Sequence, residues 1–385
     1  MLILHIAHSY PPDVSGIAEI AYQTSTRLAA RGHEVHVFTG QIAGAQSAEV
    51  VDGVHINRFD LSGNEALGIR GNPEPFLREV SSRQWDVIAM HCLQTWNTDL
   101  LLSRLPDIPG RKVLIGQGRL TPKDPRYRAY YKALESYGEA IDALITPSPD
   151  LDEAKFASAH QLCELELIPN GVDPSQFEGP TTGTRSRWNK VGSPWLLTIS
   201  NHNPNKGHFR LWPVVRGVRD RFPTAVASLI GNNYPAAKYR LGVIGVKGGC
   251  WYACRLRQRT HSGVDLRHGI PRPDVISALK EADVILIPST WEASPLVAVE
   301  AMGAGTPWVA FDVGAIRDLK GGFVVRTVEE MIARTTDLLA SPDLRAQLGT
   351  AGKHEIKAKY EWEKVVDGYE ALYRRLLATR SVIEP

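Results

Sequence analysis

Cysteine is scarce in this 385-residue chain: the four present, Cys92, Cys163, Cys250 and Cys254, are too few and too scattered for a disulfide framework. No run of eighteen apolar residues occurs, which argues against a membrane-spanning helix. Met1 leads straight into an apolar stretch, LILHIA, with neither a basic leader nor a small-residue cleavage site. The expectation is a cytoplasmic protein with at most peripheral contact with a membrane. A Gly-x-Gly-x-x-Gly turn is missing between Ala7 and Gly16, and with it the main signature of a dinucleotide-dependent oxidoreductase built on paired Rossmann domains. Net charge is low as well: +2 is too little to argue for a nucleic-acid partner, and none is expected. Locally, however, charge of one sign is absent. No carboxylate lies between Ala225 and Val264, where Lys238, Arg240, Lys247, Arg255, Arg257 and Arg259 stand. Another basic cluster runs from Arg111 to Lys132, with Asp124 its one acid and Tyr127, Tyr130 and Tyr131 interleaved. Both read first as solvated basic faces, and second as contacts for an anionic acceptor or a membrane surface.

Hydrophobic residues make up 43% of the chain and charged residues 22%, the balance of a soluble globular protein, and the length calls for two cores. The first half repeats one rhythm of apolar strand, polar turn and amphipathic helix. Strands are expected at 2–7, 35–39, 54–58, 86–91, 112–116, 143–146 and 165–168. Between the first two, Ile17, Ile20, Ala21, Thr24 and Leu28 recur at helical spacing, and Gly32 stops the helix, giving a βαβ unit and hence a mainly parallel sheet. A Gly-, Pro-, Thr- and Ser-rich stretch, 173–194, reads as a linker. A second strand series follows at 195–200, 225–230, 283–288, 307–311 and 322–325. The expected organisation is an α/β protein with Rossmann-like, doubly wound parallel-sheet domains at 1–172 and 195–360, facing across a cleft, and a final helical segment at 361–385. That last helix has an apolar face whose partner the pattern alone does not reveal.

Two glutamates eight positions apart, Glu292 and Glu300 in PSTWEASPLVAVEAMGAGTPWVAF, carry the chemistry. The segment reads as strand, loop with Glu292, helix with Glu300 in its early turns, and a Gly305 stop. Ser294 is expected to cap that helix and Pro295 to occupy its first turn, with Leu296, Val299 and Met302 as its apolar face. Free amides at the positive end of a helix dipole are a natural seat for a diphosphate, and flanking carboxylates accept hydrogen bonds from sugar and ribose hydroxyls. A nucleotide-sugar site is the expectation. Two metal-like patterns are set aside: Asp150-Leu151-Asp152 reads as capping at a helix start, where acidic residues are favoured, and Cys250 and Cys254 with His261 and His268 have a poor zinc spacing. His5 reads as a packed strand residue, and His8 stands at that strand's end beside the proline loop.

Several segments occur in a recognisable order: YPPDVSGIAEIAYQTSTRLAARGHEVHVFT, DVIAMH, IPNGVDPSQF, NPNKGH, the Glu292–Glu300 segment and the terminal YEWEKVVDGYEALYRRLL. Together they resemble the family 4 retaining glycosyltransferases of the GT-B fold over nearly the whole chain. The resemblance implies transfer of a sugar from a nucleoside diphosphate sugar, UDP- or GDP-linked, to an acceptor hydroxyl with retention of configuration. The acceptor would be a glycan, a lipid-linked sugar or another hydroxyl, and no metal or other cofactor is implied. Glu300 would bind the ribose, Glu292 would face the transferred sugar, and the turn Ser294, Pro295, Leu296 and Val297 would touch sugar and phosphate. Lys206 would neutralise the diphosphate, with Ser15 and Gly16 approaching the same phosphates. The final helix would return to the N-terminal domain. Three positions depart from the family pattern. Asn201 stands where an arginine is usual, Gln117 where a histidine is usual, and Ser15 where a glycine is common. Catalytic roles thus fall to Glu292, Lys206 and Gln117. Donor binding falls to Glu300, Gly16, Ser15, Asn201 and the 294–297 turn. A nucleotide-sugar hydrolase or epimerase, or a non-catalytic nucleotide-sugar-binding protein, are the alternative readings, since fold does not fix function.

Overall fold

Parallel strands buried on both faces are mostly apolar and, with His5, His91 and Thr198 as buried exceptions, the runs LILHI, VIAMH, WLLTI and VILI follow that pattern. Each is the centre of a sheet in the computed structural model, which describes residues 1–118, 120, 124–232 and 249–380. Of the basic residues singled out above, Arg119, Lys123, Lys238, Arg240 and Lys247 lie outside the described residues. The chain divides into two compact units, Met1–Gly171 with Trp362–Pro385, and Val172–Glu361.

The first unit holds an eight-stranded sheet and a small hairpin. Its strands are β1 (Leu2–Ile6), β2 (Glu34–Gly40), β3 (Ala48–Val51), β4 (Val54–Phe59), the hairpin β5 (Ser62–Asn64) and β6 (Gly68–Arg70), then β7 (Val87–His91), β8 (Arg111–Ile115), β9 (Ala143–Thr146) and β10 (Glu164–Leu167). The sheet order is β10-β9-β8-β7-β1-β2-β4-β3, parallel except for the edge pair β3 with β4. Chain order reverses between β1 and β7, whose register pairs Ile3 with Val87 and Ile6 with Met90. The helix Gly16–Ala30 follows β1; Ser15 caps it by accepting from the Ala18 amide at 3.2 Å. Its buried residues Ile20, Ala21, Thr24 and Leu28 face the sheet.

The terminal helix Trp362–Arg380 belongs to this unit. Trp362, Val365, Val366, Tyr369, Leu372, Tyr373 and Leu376 share one core with Ile3, Ile20 and Leu28. Arg31, just past the Gly16–Ala30 helix, reaches Glu363, Asp367 and Glu370 at 3.0, 2.8 and 3.0 Å. Arg374, then Arg31 and His33, hold the Glu370 carboxyl down to about 2.

The second unit holds β11 (Trp195–Ile199), β12 (Val226–Ile230), β13 (Val264–Arg267), β14 (Val284–Ile287), β15 (Trp308–Phe311) and β16 (Gly322–Val325). All pairs are parallel, in the order β13-β12-β11-β14-β15-β16, so the reversal falls between β11 and β14. Composition marked 173–194 as a linker, and the structure corrects this: the stretch is folded onto the second unit. Phe177 and Trp188 are buried in its core, and Arg185 bonds to the Glu281 carbonyl and to Asp283 at 2.7 and 2.8 Å. Turn-forming residues there break regular structure without preventing packing. The three tyrosines interleaved with basic residues are also core: Tyr127, Tyr130 and Tyr131 are buried beside Leu134 and Leu144. They therefore offer no aromatic surface to an acceptor.

Candidate functional site

In an open parallel sheet the loops leaving the two strands beside a reversal diverge and leave a crevice, which is where ligands bind. In the second unit those loops follow β11 and β14. The first carries Asn201 to Lys206; the second carries Ser289 to Pro295. They meet: Lys206 Nζ lies 2.8 Å from both Glu292 carboxylate oxygens, and the Ser289 hydroxyl donates to the same carboxylate at 2.6 Å. Glu292 is buried and Lys206 partly so. An ammonium has three donors, so two bonds to Glu292 leave one N–H for another acceptor.

Two glycines make this approach possible. Gly207 has φ +61°, and a Cβ there would stand 2.0 Å from the Pro288 carbonyl oxygen; Gly314, at φ +55°, would put one 2.3 Å from that of Glu292. A side chain at Gly207 would push the two loops apart, and one at Gly314, in the turn after β15, would press on the backbone of the Glu292 loop. Asn205 accepts at its carbonyl from the Thr290 amide at 2.7 Å, and Arg210 donates to the Ser289 carbonyl at 2.9 Å, completing the clamp.

The helix after the loop spans Leu296–Ala304 and stops at Gly305, φ +77°. Val299 and Met302 are buried as expected, and Glu300 sits in the second turn. One detail is corrected: the helix begins one residue later than the sequence suggested, with Pro295 at the N-cap position where Ser294 was expected. The amides of Leu296 and Val297 thus stand at the start of the helix, adding its dipole to the loop that holds Glu292.

Glu300 has a partner the sequence did not announce. Arg272, at the start of the helix Arg272–Glu281, reaches its carboxylate at 2.6 Å and also donates to Gln176 at 2.8 Å. Asn201 is used locally: its side-chain oxygen accepts from the Asn232 amide at 3.1 Å, and Asn232 in turn accepts from the Gly269 amide at 3.0 Å. It joins the ends of β11, β12 and β13 instead of presenting charge where an arginine is usual.

The remaining residues belong to the first unit. Ser15 caps the Gly16–Ala30 helix and shares its hydroxyl with that of Ser9 at 2.8 Å. Gln117 is buried in a reciprocal amide pair with Asn170, at 3.0 and 3.2 Å. Next to it lies a group that sequence reasoning missed. Glu153 is fully buried and accepts from the amides of Leu93 and Gly118 at 3.1 and 3.0 Å, while burial pushes its carboxyl up to about 7. A Cβ on Gly116 would stand 2.7 Å from that carboxylate, so the glycine before Gln117 makes room for it. Asp99 is similar: burial raises it to about 7, and it accepts from the Tyr130 hydroxyl at 2.9 Å and the Glu65 amide at 3.0 Å. The set-aside residues fall as follows. Asp152 opens the helix Asp152–His160 with no side-chain cap, and His5 is buried against His91 at 3.1 Å. Cys250 and Cys254 do not meet His261; they meet His202 and His208.

Comparison with known proteins supplies the class. The chain resembles solved glycosyltransferase structures along its length. Sucrose-phosphate synthase from Thermosynechococcus elongatus aligns over 98% of this chain and 99% of its own, at TM-score 0.79 and 19% identity. An Anabaena protein, Alr3699/HepE in complex with UDP-glucose, aligns over 96% and 98%, at TM-score 0.70 and 16% identity. The fold is GT-B. A sequence model described as Glycosyltransferase Family 4 matches residues 14–176, and one described as Glycosyl transferases group 1 matches residues 193–341. Glycogen synthase of Mycobacterium tuberculosis is 25% identical over 430 aligned positions, covering 100% of this chain and 97% of that protein. The chain belongs to the family 4 glycosyltransferases. Among the described residues no helix is long and apolar enough to cross a membrane.

Proposed function

We propose that this glycosyltransferase moves a sugar from a nucleoside diphosphate sugar to an acceptor hydroxyl with retention of anomeric configuration, and that its donor sits at the crevice between β11 and β14. The single observation that carries this reading is the Lys206–Glu292 pair at the reversal of strand order, beside a helix start and within one helix of Glu300. Breaking the bond from the anomeric carbon to the phosphate oxygen leaves positive charge on the sugar and negative charge on the diphosphate. Preorganised donors facing that negative charge supply the main catalytic effect. The free N–H of Lys206 and the amides of Leu296 and Val297 are such donors, with Ser294 and Pro295 shaping the turn that presents them. The acceptor oxygen bonds to the anomeric carbon on the face the diphosphate leaves, and its proton passes to the leaving phosphate oxygen. Glu292 orients the sugar. Glu300, held by Arg272, accepts from the ribose hydroxyls.

The assignment of Ser15, Gly16 and Gln117 to the donor rests on the family resemblance. So do the absence of a metal from the chemistry and the UDP- or GDP-linked donor. The acceptor is read as a glycan, lipid-linked or other hydroxyl, met in the cytoplasm or at a membrane surface. Incubation with UDP-, GDP- and ADP-sugars and candidate acceptors tests the reading. One donor should release nucleotide together with a glycosylated product whose anomeric proton coupling in NMR matches that of the donor. Release of free sugar alone would mark a hydrolase, and inverted coupling would rule out retention.

A further inference from the structure

The loop that holds Lys206 is bracketed by histidines, His202 before it and His208 at the start of the helix His208–Arg219. Both rings are buried. The helix Gly249–Thr260 places Cys250 and Cys254 four residues apart, hence on one face, toward the same point. One nitrogen from each histidine and one sulfur from each cysteine all lie within 4.8 Å of one another. Cys250 Sγ is 3.4 Å from His208 Nδ1 and 3.8 Å from His202 Nδ1, and Cys254 Sγ is 3.9 Å from His208 Nδ1.

Those separations are close to the edges of one coordination figure. Tetrahedral zinc, with bonds of about 2.3 Å to sulfur and about 2.0 to 2.1 Å to nitrogen, sets sulfur and nitrogen about 3.5 Å apart. Ligating histidines are usually fixed through their other nitrogen. For His208 the Ser200 hydroxyl does this, 2.8 Å from Nε2, which turns Nδ1 to the thiols. The His202 ring stands edge-on to His208 and to Trp251, with centroids 4.8 Å away in each case. Its Nε2 is buried and has no hydrogen-bond partner in the structure. That leaves Nδ1, facing Cys250, as the ring's polar contact.

We propose that His202, His208, Cys250 and Cys254 form a closed structural zinc site. Two imidazoles and two thiolates fill a tetrahedron and leave no position for substrate, so the ion is structural and takes no part in sugar transfer. Binding one Zn²⁺ displaces one proton from each thiol. The ion ties both ends of the Lys206 loop to the helix Gly249–Thr260. None of this depends on the donor assignment, and metal content reads it out without any activity measurement.

The test uses the full chain, purified under reducing, chelator-free conditions from zinc-supplemented medium and analysed by inductively coupled plasma mass spectrometry. About one zinc per chain is expected. Cys254→Ser and His208→Ala should each fall below a tenth of an equivalent, while His261→Ala keeps the full amount. Folding of each variant is checked by circular dichroism. As a second measurement, wild-type chain stripped with a chelator should take up one Co²⁺ with a thiolate charge-transfer band and the intense visible bands of tetrahedral cobalt. Reduced, folded wild type that takes up neither ion would overturn the proposal. So would full zinc retention in the Cys250→Ser/Cys254→Ser double variant, or the weak bands of octahedral cobalt.

Discussion

Glu153 is a carboxylic acid in the wrong place for its ordinary charge. Its raised value, about 7 against an ordinary 4.5, means that the folded chain holds a proton which the unfolded chain has already released across that window. Stability from this group is therefore present below the unfolded value and is lost as pH rises toward 7. Buried His5 and His91, both shifted down, work in the opposite direction, so the effect shows in a difference between variants. Glu153→Gln should gain on wild type by about 3 kcal/mol in unfolding free energy between pH 4.5 and pH 7.5, an upper figure from about 1.4 kcal/mol per pH unit. Denaturant titrations at both pH values measure it; parallel profiles for the two proteins would show that Glu153 ionises normally. Individual residues were also where sequence reasoning stopped short. Glu292 and Glu300 stood out because strand, loop and helix signals surround them. Arg272 did not, since a basic residue at a helix start carries no pointer to a partner 28 positions on. Likewise His261 and His268 lie nearer the cysteines in sequence, yet His202 and His208 reach them across 42 to 48 positions.

At the scale of elements, the centre of each sheet was legible, as were the edge strands β10 and β16, but the opposite edges, β3 and β13, were not. Strands such as β1, β7, β11 and β14 are buried on both faces and read as predominantly apolar runs. The edge strand β3, AEVV, is mostly exposed, and β13, VDLR, is half polar, so neither has the pattern of a buried strand. Loop geometry was equally silent, because the contact of the β11 and β14 loops depends on Gly207, a small residue with no chemistry of its own. Gly207→Ala should strain a left-handed backbone position and drive a methyl into the Pro288 carbonyl. The expected result is a Tm lower by several degrees and a raised KM for the donor, measured by thermal scanning and initial rates. An unchanged KM would show that the loops are not clamped as described.

For the whole molecule, the terminal helix completes the first unit even though 190 residues of the second unit, Val172–Glu361, precede it in the chain. It buries seven large side chains in the first unit's core. At about 1.5 to 3 kcal/mol for each, the loss would be on the order of 10 to 20 kcal/mol, comparable to or larger than the entire stability of an ordinary domain. A chain ending at Glu361 should therefore lose the first unit's unfolding transition in calorimetry while the second unit's transition persists. A truncated chain with both transitions intact would contradict that packing. The helix was visible in sequence as an amphipathic stripe. Periodicity showed a buried face without showing what covers it; the return to the first unit was implied only by the family resemblance.

The most direct measurement of the central claim is single-turnover nucleotide release by wild type, Lys206→Ala and Glu300→Ala on the productive donor. If the donor diphosphate lies between the β11 and β14 loops, Lys206→Ala should slow release by on the order of a hundredfold or more. Glu300→Ala should abolish saturable donor binding. Wild-type rates and affinity in both variants would place the donor elsewhere and contradict the site.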